Sequence, residues 1–370
     1  MTIIDGGLSD DRYRHYWKKA LIELDIIDAQ NSKNKKNIFL YRHDDDLAVI
    51  SVWTSPKRTK TNPLPRVFST LGHSGKKITI IPVLKEEGVS GEQNLIHANT
   101  VYWMSSLGVY VIIGYYTKAI LGTVGKQSSN AKEGKPSNEG KPKFADQVLN
   151  LIDIRRQINL IMTENPDVSI WNSRQIQQIP KLLQKSIETY EEMGIKHNVP
   201  LKKQALEKKK KKAQVWGMDI RIMFDDFTRD EIAAQNRETK TDHKHEDIPE
   251  DYGGKGKFNI QCRESEILYL TADAVSIDED SKVITITEAK NTTKKDFPSD
   301  DDIRDDLMKL MLFKKSKFTI KGEKYEKKLR CCLKGKGTSK AFEEKFVELI
   351  KECNANEIEL RFNNKEIIST

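Results

Sequence analysis

The clearest pattern of apolar and polar positions lies in the C-terminal third of the chain. Residues 269–278 and 283–293 are rich in β-branched and aliphatic side chains, and the turn-forming tetrapeptide 279–282 separates them. Two such segments predict an antiparallel β-hairpin. If the turn centres on the middle of the tetrapeptide, residues whose numbers sum to about 561 face each other. This register places Asp273 opposite Glu288.

Other segments carry patterns that are shorter or less regular. Two apolar runs, 78–84 and 109–116, flank a helical pattern at 99–107, and this order predicts a βαβ unit with parallel strands buried on both faces. Apolar residues near helical spacing after Ser9 predict a surface helix over 9–28. The remaining predicted elements are a hairpin over 38–53 around three aspartates, helices within 144–163, 172–193 and 201–234, a helix over 303–313 with Ser299 as N-cap, a closing helix over 341–353 and a strand over 357–362.

These elements predict an α/β protein with four segments. Residues 1–122 form an N-terminal α/β segment, and residues 123–143, rich in Gly, Ser, Pro and Lys, form a flexible linker or loop. Residues 144–245 form an inserted helical region that could contact DNA. Residues 246–370 carry the hairpin.

Composition narrows the class of partner. The chain has 370 residues and a formal net charge of +8, with a pI of about 9.0, and a basic protein suits an acidic polymer such as nucleic acid. No run of 18 apolar residues is present, and the N-terminus lacks the pattern of a signal peptide, so we expect a cytoplasmic protein without a membrane partner. The four cysteines form no CxxC pair and are interpreted as reduced structural residues.

The hairpin brings charged side chains onto one face. Side chains alternate along a strand, so Asp273, Glu288 and Lys290 share a face of the sheet. Directly opposed carboxylates lie roughly 5 Å apart, which is unfavourable without a counter-charge. A divalent cation such as Mg²⁺ would supply that charge. A lysine beside it can orient a water molecule or stabilise negative charge on a phosphate under attack.

This constellation resembles the catalytic core of the PD-(D/E)xK nucleases. Asp273 takes the place of the first acid and Glu288-Ala-Lys290 that of the ExK element, while Ala272 stands where the family has proline. The resemblance implies a mixed sheet flanked by helices, with a helix packed behind the ExK strand. It also implies Mg²⁺ held by Asp273 and Glu288, with a further acid from a preceding helix, for which Glu266 is preferred over Glu264.

A second block is similar to N-terminal segments of certain type II restriction endonucleases. The matching residues are Leu71 to Lys77 and Thr100 to Ser105. Together the two resemblances imply a type II restriction endonuclease that hydrolyses double-stranded DNA with a metal-activated water. It would act as a homodimer alongside a companion DNA methyltransferase.

Two alternatives remain open. A PD-(D/E)xK nuclease with a repair or structure-specific task would share every catalytic residue. A non-catalytic, basic DNA-binding protein would carry the hairpin acids as structural residues. The ExK pattern itself recurs six times elsewhere, but only the copy at Glu288 and Lys290 ends an aliphatic strand and follows an acid on a paired strand.

Three other polar features have weaker functional interpretations. The aspartates at 44–46 are expected to be solvated at a turn. His243 and His245, two residues apart, form a poor zinc site. The lysines at 208–212 wrap around a helix and are interpreted either as a solvated face or as a salt-sensitive contact with the DNA backbone.

Overall fold

The structure, a computed structural model, describes residues 3–31, 35–56, 63–89, 91–123, 142–240, 249, 252–263 and 266–367. Its strands are β1 (Ile3–Leu8), β2 (Ile38–His43), β3 (Asp46–Val52), β4 (Lys76–Pro82), β5 (Leu84–Glu86), β6 (Gln93–Leu95), β7 (Tyr110–Gly114), β8 (Tyr116–Thr123), β9 (Pro142–Leu149), β10 (Gly254–Arg263), β11 (Glu266–Asp278), β12 (Val283–Asn291), β13 (Ser316–Ile320), β14 (Glu323–Lys334), β15 (Ile358–Phe362) and β16 (Lys365–Glu366). Its helices are α1 (Ile26–Asn31), α2 (Leu64–Leu71), α3 (Ala98–Ser106), α4 (Leu151–Glu164), α5 (Val168–Gln177), α6 (Ile179–His197), α7 (Lys203–Met218), α8 (Ile220–Lys240), α9 (Asp300–Lys314), α10 (Ser339–Lys345) and α11 (Val347–Ala355). None of the helices in these ranges combines the length and the hydrophobicity that spanning a bilayer requires.

The largest sheet contains eight strands in the order β12-β11-β10-β1-β13-β14-β15-β16, and β14 also pairs with β12. That extra pairing closes β12, β11, β10, β1, β13 and β14 into a ring of six strands. The pairings are mixed: β10 to β12 form an antiparallel meander, whereas β12 with β14 and β14 with β15 are parallel. The protein is therefore of the α/β class with mixed sheets, as predicted. Strand β1, from the N-terminal segment, is hydrogen-bonded into the same sheet as the predicted catalytic hairpin.

A second sheet has the order β2-β3-β4-β7. Strand β4 pairs in parallel with β7, and α3 lies between them in sequence, so the predicted βαβ unit is confirmed. The whole of β7 is buried, which fits its continuous apolar sequence. The hairpin predicted over 38–53 is also present as β2 and β3.

The helix predicted over 9–28 is wrong. In the structure only Ile26–Asn31 is helical, and residues 9–22 have no regular structure. Distant side chains satisfy this backbone: buried Glu352 accepts hydrogen bonds from the backbone N–H groups of Tyr16 (2.8 Å) and Trp17 (2.6 Å). Asn356 accepts from the N–H of Arg14 at 2.8 Å and donates to its carbonyl oxygen. Tertiary hydrogen bonds thus replace the helical ones.

Four other helical predictions need correction at their boundaries. The patterns over 172–193 and 341–353 are each divided between two helices, at Gln178 between α5 and α6 and at Phe346 between α10 and α11. Residues 144–149 belong to β9, which pairs with β8, and the helix begins only at Leu151. The pattern over 201–234 forms two helices, α7 and α8, which are separated by the extended backbone of Asp219 (φ −142°, ψ 104°). Of the predicted linker at 123–143, residues 124–141 lie outside the described residues, and Thr123 pairs with Pro142 in the β8–β9 hairpin.

Helix α9 packs against the second strand of the β11–β12 hairpin. It begins at the predicted N-cap Ser299, whose side chain accepts from the N–H of Asp302 while Asp302 accepts from the N–H of Ser299. The buried face of α9 includes Ile303, Leu307 and Leu310 and packs against β12 and β14. A helix therefore lies behind the ExK strand, as the resemblance implied.

Candidate metal centre

The β11–β12 hairpin has the register predicted from the sequence. Ala274 pairs with Thr287 and Ile277 with Ile284, and the same register sets Asp273 opposite Glu288. The carboxylate of Asp273 accepts a hydrogen bond from the backbone N–H of Ala289 at 2.9 Å. This bond ties the side chain of Asp273 to the neighbouring strand beside Glu288.

A third carboxylate joins this pair from α9. Single oxygen atoms of Asp273, Glu288 and Asp306 all lie within 4.8 Å of one another. Glu288 and Asp306 are fully buried, with relative exposures of 0%, and Asp273 is half-buried.

The sequence interpretation missed Asp306, although a signal was available. Residue 306 lies three positions after buried Ile303, on the core-facing side of a helix predicted to pack behind the ExK strand.

Two lysines neutralise part of this acidic cluster. The ammonium group of Lys309 on α9 lies 2.8 Å from Oε2 of Glu288, and the Lys309 side chain is only 12% exposed. The ammonium group of Lys290 lies 3.2 Å from Oδ1 of Asp306 and 3.5 Å from Oδ2 of Asp305. Lys290 is 29% exposed, so it lies nearer to solvent than Lys309. Lys309 was also missed by the sequence interpretation.

Burial and mutual charge perturb these groups strongly. Burial raises the pKa of Glu288 well above its usual range, an effect that Lys309 opposes. Burial likewise raises the pKa of Asp306 to about 7, against the opposing effect of Lys290. The negative charge of Asp306 in turn raises the pKa of Lys290, so this lysine stays protonated. Perturbed carboxylates and a cationic lysine in one cluster are typical of catalytic and metal-binding sites.

The cluster fits a divalent cation that prefers oxygen ligands. Four carboxylates (Asp273, Glu288, Asp305 and Asp306) against two ammonium groups leave a formal charge of −2 when all are ionised. Oε1 of Glu288 and Oδ2 of Asp306 are buried and accept no hydrogen bond from the described residues, whereas Oδ1 of Asp306 faces the ammonium group of Lys290 at 3.2 Å. Buried carboxylate oxygens normally have such a partner. An all-oxygen donor set suits Mg²⁺, Mn²⁺ or Ca²⁺ better than zinc.

The structure does not bring Glu266 to this cluster. Glu266 is the first residue of β11, seven positions before Asp273, which corresponds to roughly 23 Å along a strand. Its charge adds to the effect of burial in raising the pKa of Tyr102, so Glu266 lies beside α3. The third carboxylate comes instead from the helix that follows the hairpin. Glu264, the other candidate, lies outside the described residues.

The remaining polar features show no comparable geometry. The three aspartates at 44–46 are exposed at the β2–β3 turn, and both His243 and His245 lie outside the described residues. Part of the basic run at 208–212 makes contacts within the chain. Its intramolecular contacts are Lys209 with Oε1 of Gln93 (2.9 Å), Lys210 with Glu191 (3.7 Å) and Lys212 with Asp226 (3.6 Å).

The structure thus brings three of the predicted site residues together, Asp273, Glu288 and Lys290, and adds Asp306 and Lys309 to them. In comparisons with known proteins, no family model, no curated protein and no solved structure matches this chain. The function must therefore be inferred from the geometry and chemistry of the cluster.

Proposed function

We propose that the protein is a divalent-metal-dependent endodeoxyribonuclease with a PD-(D/E)xK core, acting as a site-specific type II restriction endonuclease on double-stranded DNA. The observation that carries this proposal is the acidic cluster of Asp273, Glu288 and Asp306 with Lys290 at its more exposed side. The order of the elements supports it as well, because the ExK hairpin is followed directly by a helix packed behind its second strand.

Mg²⁺ is the proposed cofactor, and Asp273, Glu288 and Asp306 are the residues that would hold it. When bound, it would supply Lewis-acid chemistry, lowering the pKa of water and offsetting negative charge on the phosphate. The three carboxylates are already fixed in place. The N–H of Ala289 holds Asp273, Lys309 holds Glu288, and α9 carries Asp306 on its buried face.

Lys290 is the proposed residue that contacts the reacting phosphate. Its side chain extends from the end of β12 and keeps 29% of its surface exposed, so its ammonium group can reach a non-bridging oxygen of DNA. Because its pKa is raised by Asp306, it remains a cation and a hydrogen-bond donor at neutral pH. It would stabilise the negative charge that develops as water attacks in line with the leaving 3′ oxygen. The products would be a 5′-phosphate and a 3′-hydroxyl.

The partners follow from the same proposal. A chain with a net charge of +8 suits the phosphate backbone of DNA. A palindromic target would be met by a homodimer with one site for each strand. A companion DNA methyltransferase would protect the host sequence from cleavage.

The test is incubation of the protein with unmethylated phage DNA, in Mg²⁺ or in EDTA. We expect discrete fragments from the wild type with Mg²⁺ and none with EDTA. Lys290→Ala should lower cleavage by about 10²- to 10³-fold, the usual effect of losing one preorganised donor to developing charge. Lys328→Ala is the matched control, because Lys328 belongs to another ExK pattern on the adjacent strand β14 but is exposed.

Each other result has a defined meaning. Mg²⁺-dependent degradation without discrete fragments, lost in Lys290→Ala, would keep the nuclease and refute its site specificity. Intact DNA under all conditions, despite tight binding, would refute the nuclease and favour a non-catalytic DNA-binding protein.

A further inference from the structure

We propose that this site binds a single divalent cation, and that the ammonium group of Lys309 takes the place that a second cation occupies in two-metal nuclease sites. The inference rests on the proposed function and extends it to the number of metal ions. Four features of the cluster carry it: the spacing of the carboxylate oxygens, the contact of Lys309 with Glu288, the small space around Lys309, and the total charge.

The spacing of the oxygens fits one ion. Ca²⁺ binds oxygen at roughly 2.3–2.6 Å and Mg²⁺ at roughly 2.0–2.1 Å, so two oxygens on one ion are at most about 5 Å or about 4 Å apart, respectively. The ligand atoms of Asp273, Glu288 and Asp306 all lie within 4.8 Å of one another. One larger cation reaches all three residues, and Mg²⁺ does so once the carboxylates move together by less than about 1 Å. Two cations about 3.5–4 Å apart would need bridging and additional ligands.

Lys309 already occupies the other side of Glu288. Its ammonium group lies 2.8 Å from Oε2, whereas Oε1 accepts no hydrogen bond from the described residues. The carboxylate thus has one oxygen engaged by a built-in cation and one left for a metal ion.

The space around Lys309 is also small. It lines a cavity of about 20 Å³ together with Glu231, Gln235 and Glu238 of α8. A volume of this size holds about one water molecule, which is too little for a hydrated divalent ion beside the lysine. The cavity therefore offers no alternative position for a second cation while Lys309 is present.

The charge count agrees with one ion. With Asp305 included, the cluster carries a formal charge of −2 when all four carboxylates are ionised and both lysines are protonated, and one divalent cation neutralises it. A second ion would leave a formal charge of +2 in the wild type, which is strongly unfavourable at low local dielectric. Replacement of Lys309 by a small neutral residue lowers that excess to +1 and opens space beside Oε2 of Glu288.

The test counts bound Mn²⁺ per chain by equilibrium dialysis, with electron paramagnetic resonance to detect spin coupling between neighbouring ions. We expect one uncoupled Mn²⁺ in the wild type and two coupled ions in Lys309→Ala. Lys309→Arg, which keeps the charge, should again bind one. Circular dichroism shows whether each variant is folded.

The outcomes separate this inference from the proposed function. A wild type that binds no Mn²⁺ removes the metal site, and with it the proposed function. Two ions in the wild type overturn only the single-ion inference. A folded Lys309→Ala that still binds one ion overturns the role of Lys309. If Lys309→Ala does not fold, the counts in the wild type and Lys309→Arg still decide whether the site holds one ion or two.

Discussion

Replacement of Asp306 by asparagine is the sharpest test of the candidate site, because an adjacent acid provides a matched control. Asp306 is fully buried and belongs to the group of three carboxylates. Asp305 precedes it on the same helix and also contacts Lys290, at 3.5 Å, but it is not one of those three. Asp306→Asn and Asp305→Asn therefore make the same chemical change at neighbouring positions, and only the first removes a proposed metal ligand.

The expected magnitude follows from linkage between binding and folding. A cation present at 100 times its dissociation constant stabilises the folded state by about 2.7 kcal/mol. Residues that merely support a metal ligand change affinity by about 10- to 100-fold when mutated, so loss of a ligand should cost at least as much. At the same Mn²⁺ concentration, the stabilisation in Asp306→Asn should fall to about 1.4 kcal/mol or less. Asp305→Asn should keep more than about 2 kcal/mol of it.

Thermal unfolding with and without Mn²⁺ measures this difference. For a chain of 370 residues, an unfolding entropy of about 0.8 kcal/mol per degree makes the wild-type increase in Tm about 3 °C. In Asp306→Asn we expect an increase of about 2 °C or less, and little change in the Tm without metal. Equal Mn²⁺-induced shifts in Asp305→Asn and Asp306→Asn would refute the assignment of Asp306 as a ligand.

Three further predictions concern the scaffold and the DNA contact. Glu352→Ala leaves the N–H groups of Tyr16 and Trp17 without their acceptor, so the free energy of unfolding measured in urea should fall by about 2–5 kcal/mol. A decrease below about 1 kcal/mol would show that water replaces the carboxylate. Ser299→Ala removes the capping box of α9 and should lower the free energy of unfolding by about 1 kcal/mol in the same assay. An unchanged free energy of unfolding would contradict the stabilising role of the Ser299 cap. For a duplex of about 30 base pairs in Ca²⁺, the logarithm of the binding constant should fall linearly with the logarithm of the salt concentration. The slope should be about −0.9 for each phosphate contacted, whatever the sequence outside the target site. A salt-independent affinity would exclude the electrostatic contact.

The hairpin and its three candidate site residues were predictable because the information is local. Alternation of side chains and a single turn determine which residues face each other, so the sequence alone is enough to place Asp273 opposite Glu288, in the register that the two strands adopt. The N-cap of α9 was predictable for the same reason, since Ser299 and Asp302 lie within one helical turn.

The failures arose where distant residues decide the local structure. Residues 9–22 have apolar positions near helical spacing, but Glu352 and Asn356, more than 330 positions away, accept hydrogen bonds from backbone N–H groups in the middle of this segment, which forms no helix. Helix propensity is a weak preference that such contacts override. Asp306 and Lys309 depend in the same way on how α9 packs against β12, and only the presence of charged residues on the apolar face of a helix hinted at them.

The buried acids of this protein fall into two kinds, and the difference supports a functional origin for the cluster. Glu86 is fully buried, yet its carboxylate accepts hydrogen bonds from the N–H of Gly88 and the side chain of Gln93. Oε2 of buried Glu352 accepts two backbone N–H groups, and its Oε1 lies 3.5 Å from Nδ1 of His15. These acids are structural, because their charge is met by donors that complete the fold.

Glu288 and Asp306 differ from them in that they face other carboxylates. Buried charges of this kind contribute little net stability, and well-packed apolar residues in the same positions would serve the fold as well or better. Natural sequences break such local rules mainly at functional sites. Three charged side chains that are buried or nearly buried lie together here, Glu288 on β12 and Asp306 and Lys309 on α9. This concentration is the strongest structural argument that the cluster binds a cation.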